Sequence, residues 1–205
     1  MLQPWFKDLI SIASEIAVGL SAAIVAVVAI LGLSQWRKEL QGKARFEAAR
    51  KLAYLAYQFG DQYKRARGMW TSVSESTERD RHPDENASEA QHRDECFARM
   101  NRIRPAQETL KEIHQVCWEA EVLFGKDIGR LIEPLEDLFN MLHTAIEMYF
   151  GHHIERAMKG TSVPESDSAW LEDKFKIIYG HSEDAISNSV DKTVASFVQE
   201  IRSLV

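Results

Sequence analysis

Residues 16–33 read IAVGLSAAIVAVVAILGL, eighteen consecutive residues without a charge, and Trp36, Arg37 and Lys38 follow shortly after them. A helix needs about 20 mostly apolar residues to cross the ~30 Å hydrocarbon core of a bilayer. The run therefore predicts a transmembrane helix over about 16–35, within an N-terminal segment 1–35. The alternative is a cleaved signal peptide, which has a basic first region and a shorter apolar run. The first fifteen residues hold one Lys against two acidic residues, which favours an uncleaved anchor.

Charge next to the run predicts the topology. Between Trp36 and Trp70 there are nine basic and three acidic residues, and basic residues are retained on the cytoplasmic side of a span. We therefore expect the C-terminal domain in the cytoplasm and the short N-terminus on the other side of the membrane. Basic side chains beside the span also predict contact with anionic lipid, and the candidates are Arg37, Lys38, Lys43 and Arg45.

Composition limits the partners of the distal domain. Residues 71–205 carry 15 basic and 26 acidic side chains, so nucleic acid is not an expected partner. The only two cysteines, Cys96 and Cys117, have no metal-ligand spacing and are expected to be free thiols in a reducing cytoplasm. No cofactor is predicted.

Periodicity beyond the span is helical throughout, and no useful run alternates with the period of two that a strand requires. The heptad repeat of apolar residues within 89–124 resembles a coiled-coil seam, in which Pro105 is expected to kink or break the helix. We also expect Asp127 to cap the next helix, Pro134 to kink it, and Ser182 to cap the last one. The predicted cytoplasmic domain, 36–205, consists of a basic stalk helix 36–70, a mobile linker 71–88, a kinked helix 89–124, and helices at 127–157, 168–180 and 183–204.

These elements predict an all-α fold, in which an N-terminal transmembrane helix continues into a stalk and a roughly four-helix cytoplasmic bundle. Gly19, Ala22, Ala26 and Ala29 recur at spacings of three and four within the span. Small residues at this spacing let two membrane helices approach closely. They are a candidate association site, although a span rich in alanine often contains such a stripe by chance.

Histidines raise a metal hypothesis. A di-iron bundle needs two ExxH motifs on facing helices, and the chain has one, from Glu89 to His92, in a polar stretch. The other candidate set is His143, Glu147 and His153, whose histidines fall on different parts of one helix surface. A metal-dependent hydrolase is thus a weaker alternative, and the phosphate-binding and hydrolase motifs HExxH, GxxxxGK[ST], GxGxxG and GxSxG are absent.

The juxtamembrane segment WRKELQGK, residues 36–43, resembles a group of bacterial single-pass proteins, in which a membrane helix runs into a basic, Trp-led stalk and a helical cytoplasmic domain. The likeness extends through the helix around Pro105, the helix end EVLFG at 121–125 and the segment 170–180. The resemblance implies the topology and the inner-membrane location. It implies no activity and no site residue.

Two function classes remain open on the sequence. The favoured one is a non-enzymatic, membrane-anchored helical protein that acts through protein contacts, either as an oligomer or as the membrane component of an assembly. The second is a membrane-disrupting effector, for example in stress or phage defence, which is activated by oligomerisation.

Overall fold

The structure is a computed structural model that describes residues 4–69, 79–180 and 184–204; of residues 4–18, 22 and 23 it describes the backbone alone. Five α-helices and two short 3-10 helices make up this described part, which contains no strand, and the predicted all-α fold is confirmed. The α-helices are α1 (Pro4–Ala66), α2 (Ala87–Phe124), α3 (Glu133–Lys159), α4 (Ser168–Ile178) and α5 (Ala185–Arg202), and the 3-10 helices are Gly129–Ile132 and Glu165–Asp167.

The chain divides into two compact units, Met1–Arg45 and Phe46–Val205. The first unit consists of the larger part of α1. Among the described residues, α1 alone is long and apolar enough to cross a membrane: an 18-residue window of it has a mean hydropathy of 1.9 and contains no buried residue. The predicted capacity of this helix to span a bilayer is thus supported by its length and exposure.

The second unit has one hydrophobic core, to which the last turns of α1 contribute. Leu52, Phe59 and Tyr63 are fully buried. The predicted stalk, 36–70, is therefore partly a core helix from Ala49 onward. At Gly60 an added Cβ would lie 3.1 Å from Val194 Cγ2 of α5. The Ala- and Gly-rich face of this helix allows α5 of the same chain to pack closely.

The heptad repeat of α2 packs into the same core. It buries Ile103, Ala106, Leu110, Ile113, Cys117 and Ala120. The seam is therefore covered within its own chain, and the helix continues through Pro105 without the predicted break. Both cysteines are free thiols, and burial raises the pKa of Cys117 to about 12.

Ion pairs fix the second half of the predicted mobile linker. Residues 70–78 lie outside the described part, but Arg79 Nε is 2.8 Å from Asp94 Oδ1, and the same guanidinium binds Glu85. This hydrogen bond with Arg79 lowers the pKa of Glu85 to about 2. Helix α2 then begins at Ala87, two residues before the predicted start, because the Asn86 side chain caps it by accepting a hydrogen bond from the backbone N–H of Glu89.

The predicted start of the next helix is wrong. The α-helix begins at Glu133, after a 3-10 helix, and Pro134 lies in its first turn, where a proline does not interrupt the hydrogen bonds and so introduces no kink. Asp127 does not cap this region but pairs with Arg130. Glu121 takes that role from the preceding helix, because its Oε1 accepts hydrogen bonds from the backbone N–H groups of Ile128 and Gly129 at 3.2 and 2.9 Å.

This arrangement predicts opposite results for two acidic residues. Glu121→Ala is expected to lower the free energy of unfolding by about 1–2 kcal/mol, since two backbone donors lose their acceptor. Asp127→Ala is expected to cost less than about 0.5 kcal/mol, since it removes only an exposed ion pair. Urea unfolding, monitored through the labelling of the buried Cys117 thiol, measures the free energy of unfolding of both variants. Equal losses would contradict the assignment of Glu121 as the cap.

The last helix, α5, begins at Ala185. Its N-cap is Asp184, whose carboxylate accepts a hydrogen bond of 2.7 Å from the backbone N–H of Ser187. The predicted cap, Ser182, lies outside the described residues. The apolar stripe of α5 buries Val190, Val194, Phe197, Val198 and Ile201 against the core.

Candidate functional site

The first candidate site is the exposed face of α1 in the first unit. Gly19, Ala26 and Ala29 are exposed, and an added Cβ at Gly19 would meet nothing within 4 Å. The side chain of Ala22 lies outside the described residues. The predicted small-residue stripe is thus available on the helix surface, at least at three of its four positions.

The same spacing of three and four residues continues past the apolar run, which the sequence analysis missed. It passes through Leu33, Trp36 and Leu40, whose side chains are 50%, 57% and 45% exposed. Between Ser34 and Arg45 the only large apolar residues are Trp36 and Leu40. We call this set the α1 seam: Gly19, Ala22, Ala26, Ala29, Leu33, Trp36 and Leu40.

The four predicted lipid-contact residues surround this part of the helix. Arg37, Lys38, Lys43 and Arg45 are all exposed. Long basic side chains at the end of a span can place their charges at the level of the lipid headgroups. Trp36 is suited to the same level because an indole ring has an apolar body and a polar N–H.

The second candidate site joins three helices of the second unit. The rings of His92 from α2 and His153 from α3 have centroids 4.9 Å apart, and His152 lies 6.1 Å from His153. Trp170 of α4 packs on His152 with a centroid distance of 5.7 Å, and Tyr149 packs on His153 at 4.7 Å. We call His92, His152 and His153 the histidine cluster.

The surroundings of His153 disfavour a positive charge on its ring. Partial burial, followed by the neighbouring His92 and His152, lowers the pKa of His153. His152 Nε2 lies 3.4 Å from Asp167 Oδ2, within ion-pair distance but without hydrogen-bond geometry, so this buried nitrogen has no hydrogen-bond partner within the described part of the chain. Arg156 shares the same carboxylate oxygen at 3.6 Å.

The predicted metal sets are not brought together. His143 stacks on Phe139 and lies 3.5 Å from Glu147, whereas His153 belongs to the histidine cluster. Glu89 binds Arg93 at 2.9 Å. Among the described residues, no group of three His, Cys, Asp or Glu side chains has an arrangement that could hold a metal ion.

From the sequence, His153 was grouped with His143 and Glu147 of the same helix and was not joined to His92. One signal was present: His92 precedes Cys96 by four residues and so continues the heptad face of α2 that packs on α3. Comparisons with models of protein families, with curated proteins and with solved structures find no match to this chain.

Proposed function

We propose that this chain is a single-pass membrane protein that acts through protein contacts and not through catalysis. Its N-terminus lies outside the bacterial inner membrane, and its acidic helical domain lies in the cytoplasm. The observation that carries the proposal is the part of α1 in the first unit: none of its described side chains is buried along the apolar stretch, and exposed basic side chains follow. An exposed apolar helix of this length is stable in lipid, where its backbone groups are satisfied internally.

Self-association along the α1 seam follows from the same helix. Every copy crosses the membrane in one direction, so two copies meet with their helices parallel. Gly19 and the alanines of the seam permit close packing within the bilayer. Leu33, Trp36 and Leu40 continue the repeat of 3.5 residues that a parallel coiled coil requires. The partner that best fits a face with this repeat is a second copy of the same helix.

Cysteine crosslinking tests this pairing. Trp36→Cys and Leu40→Cys are expected to give several-fold more disulfide dimer on mild oxidation in membranes than Lys38→Cys and Gln41→Cys. The control positions are adjacent in sequence but point away from the seam, since successive residues of a helix are rotated by about 100°. The unsubstituted chain gives the background from the half-buried Cys96 and the buried Cys117.

Crosslinking that is equal at all four positions would reject the seam, and its absence would reject self-association through this helix. If the chain then co-purifies at a fixed ratio with a second protein, it is the membrane component of a mixed assembly. A monomer without such a partner would contradict the proposed function as a whole.

A further inference from the structure

The beginning of α4 packs against the histidine cluster. Within α4, only Leu171 and Ile178 are buried. At its C-terminal end, Arg67 donates hydrogen bonds to the backbone oxygens of Lys176 and Ile177. At its N-terminal end, Trp170 packs on His152, Leu171 is buried, and Asp167 lies within ion-pair distance of both His152 and Arg156. A segment with few buried apolar side chains opens locally at a lower free energy than the core.

Two of the carboxylates near the cluster already have cationic partners: Asp167 pairs with Arg156, and Glu155 pairs with Lys159. Asp167 is the carboxylate nearest to His152, and Arg156 already shares it. Glu95 is the carboxylate that acts on His153. The charged or titratable groups that act on or contact the three rings are Glu95 of α2, Tyr149 and Glu155 of α3, and Asp167 of the 3-10 helix, which Arg156 shares.

Protonation of the rings therefore destabilises the arrangement in which α4 packs on the histidine cluster more than an arrangement in which residues 165–175 have moved away from it. When the rings are neutral, His92 and His153 can pack at a centroid distance of 4.9 Å with their planes tilted by 31°, and Trp170 can pack on His152. A second imidazolium would lie within about 6 Å of the first in a partly buried site, where like charges repel more strongly than in water. Opening of the segment that begins at Glu165 hydrates the rings and weakens this repulsion.

We propose that the histidine cluster is a proton-sensitive latch, which holds residues 165–175 against α3 while its rings are neutral and releases them when two or more rings are protonated. The ordinary pKa of histidine is about 6.5, so the latch responds to mild acidification. This inference does not depend on membrane insertion or on self-association.

Hydrogen exchange of the full chain in lipid nanodiscs tests the latch. After correction for the intrinsic pH dependence of exchange, residues 165–175 are expected to lose protection at least about threefold between pH 7.5 and pH 5.5, whereas residues 138–150 of α3 keep theirs. The double variant His92→Gln/His153→Gln is expected to abolish this loss. His143→Gln, on the same helix but outside the cluster, is the matched control and is expected to respond like the unsubstituted chain.

If residues 165–175 of the unsubstituted chain keep their protection at pH 5.5, the proposal is overturned. It is also overturned if the double variant loses as much protection there as the unsubstituted chain. Protection of 138–150 at pH 7.5 reports whether that variant is folded. An NMR titration of the imidazole C–H resonances in the unsubstituted chain needs no variant. If His153 titrates at or above the ordinary histidine pKa, the proposal is wrong.

Discussion

Replacing Arg67 with Met is expected to lower the free energy of unfolding of the helical unit by about 3 kcal/mol, because a buried charge pair loses one partner. The Arg67 side chain is 1% exposed and follows directly after α1. Its five N–H groups donate five hydrogen bonds, two of them to the carboxylate of Asp184 at 2.7 and 2.9 Å. The other three reach Ser187 Oγ and the backbone oxygens of Lys176 and Ile177.

Two effects contribute to the expected loss of stability in Arg67→Met. Met has similar length and fills part of the volume, but it donates no hydrogen bond, so the two carbonyl oxygens lose their partner. Asp184 is 28% exposed on its side chain and regains some hydration, which places the expected value at the lower end of the range for broken buried pairs. Labelling of the Cys117 thiol over a urea series, read by mass spectrometry, measures the change.

Lys64→Met is the matched control, because Lys64 Nζ binds Asp191 Oδ1 at 2.7 Å between the same two helices, but at the surface. An exposed pair of this kind contributes less than about 1 kcal/mol. If the two variants lose equal stability, the buried position of Arg67 has no special role.

Acid pH gives an independent check of the same contact. The hydrogen bonds from Arg67 hold the pKa of Asp184 well below its ordinary value. A carboxylate with a lowered pKa stabilises the fold above its unfolded pKa, about 3.9, and this contribution is lost as the pH falls below that value. The Arg67→Met variant is expected to show a weaker loss of stability below pH 4 than the unsubstituted chain.

Apolar spacing was sufficient to predict the helices, but not where they begin. The stripe of α5 and the heptad of α2 are local patterns, and both are buried where the sequence places them. The 3-10 helix before α3 is capped by Glu121, which lies seven and eight residues before the backbone groups that it binds. A capping rule that considers only neighbouring residues selects Asp127 instead, since it stands in the usual position.

Charge counting could not identify two buried arginines for a related reason. Arg67 was counted with the basic stalk, yet its partners are more than 100 residues away along the chain. Arg99 is 2% exposed and donates hydrogen bonds to the backbone oxygens of Ala66, Gly68 and Met69, at the C-terminal end of α1. An arginine that binds distant carbonyl oxygens has no local pattern that separates it from a solvated one.

The α1 seam shows the opposite case, in which a local pattern was read over too short a range. The stripe from Gly19 to Ala29 was identified inside the span, where every neighbouring residue is also apolar and the signal is weak. Beyond the span, Trp36 and Leu40 stand among polar and charged residues, so the same spacing is more informative there. The histidine cluster could not be predicted in the same way, because it requires the packing of α2, α3 and α4.

Introduction of two charges into the span is expected to remove the chain from the membrane. Val25→Arg/Val28→Arg places two guanidinium groups on an exposed face of the apolar helix, and each costs about 2.5–3.5 kcal/mol at the centre of a membrane helix on insertion scales. The combined free-energy cost of the two arginines exceeds what a single transmembrane helix of this kind tolerates. Cell fractionation with an alkaline carbonate wash measures the membrane-bound share, which is expected to fall severalfold. Val122→Arg, at an 84% exposed position of α2, is the matched control and is expected to stay in the membrane fraction.

Salt separates insertion from surface adsorption in this experiment. Arg37, Lys38, Lys43 and Arg45 each contribute about 1 kcal/mol near an anionic leaflet, and that attraction is screened within about 10 Å at 0.1 M salt. A chain anchored by its span stays in the membrane at high salt and at alkaline pH, whereas a chain held only by basic side chains is released. If the double variant remains membrane-bound and only salt removes it, the basic residues bind the surface without the span. If the unsubstituted chain is itself released by salt, α1 does not cross the bilayer, and the proposed topology is wrong.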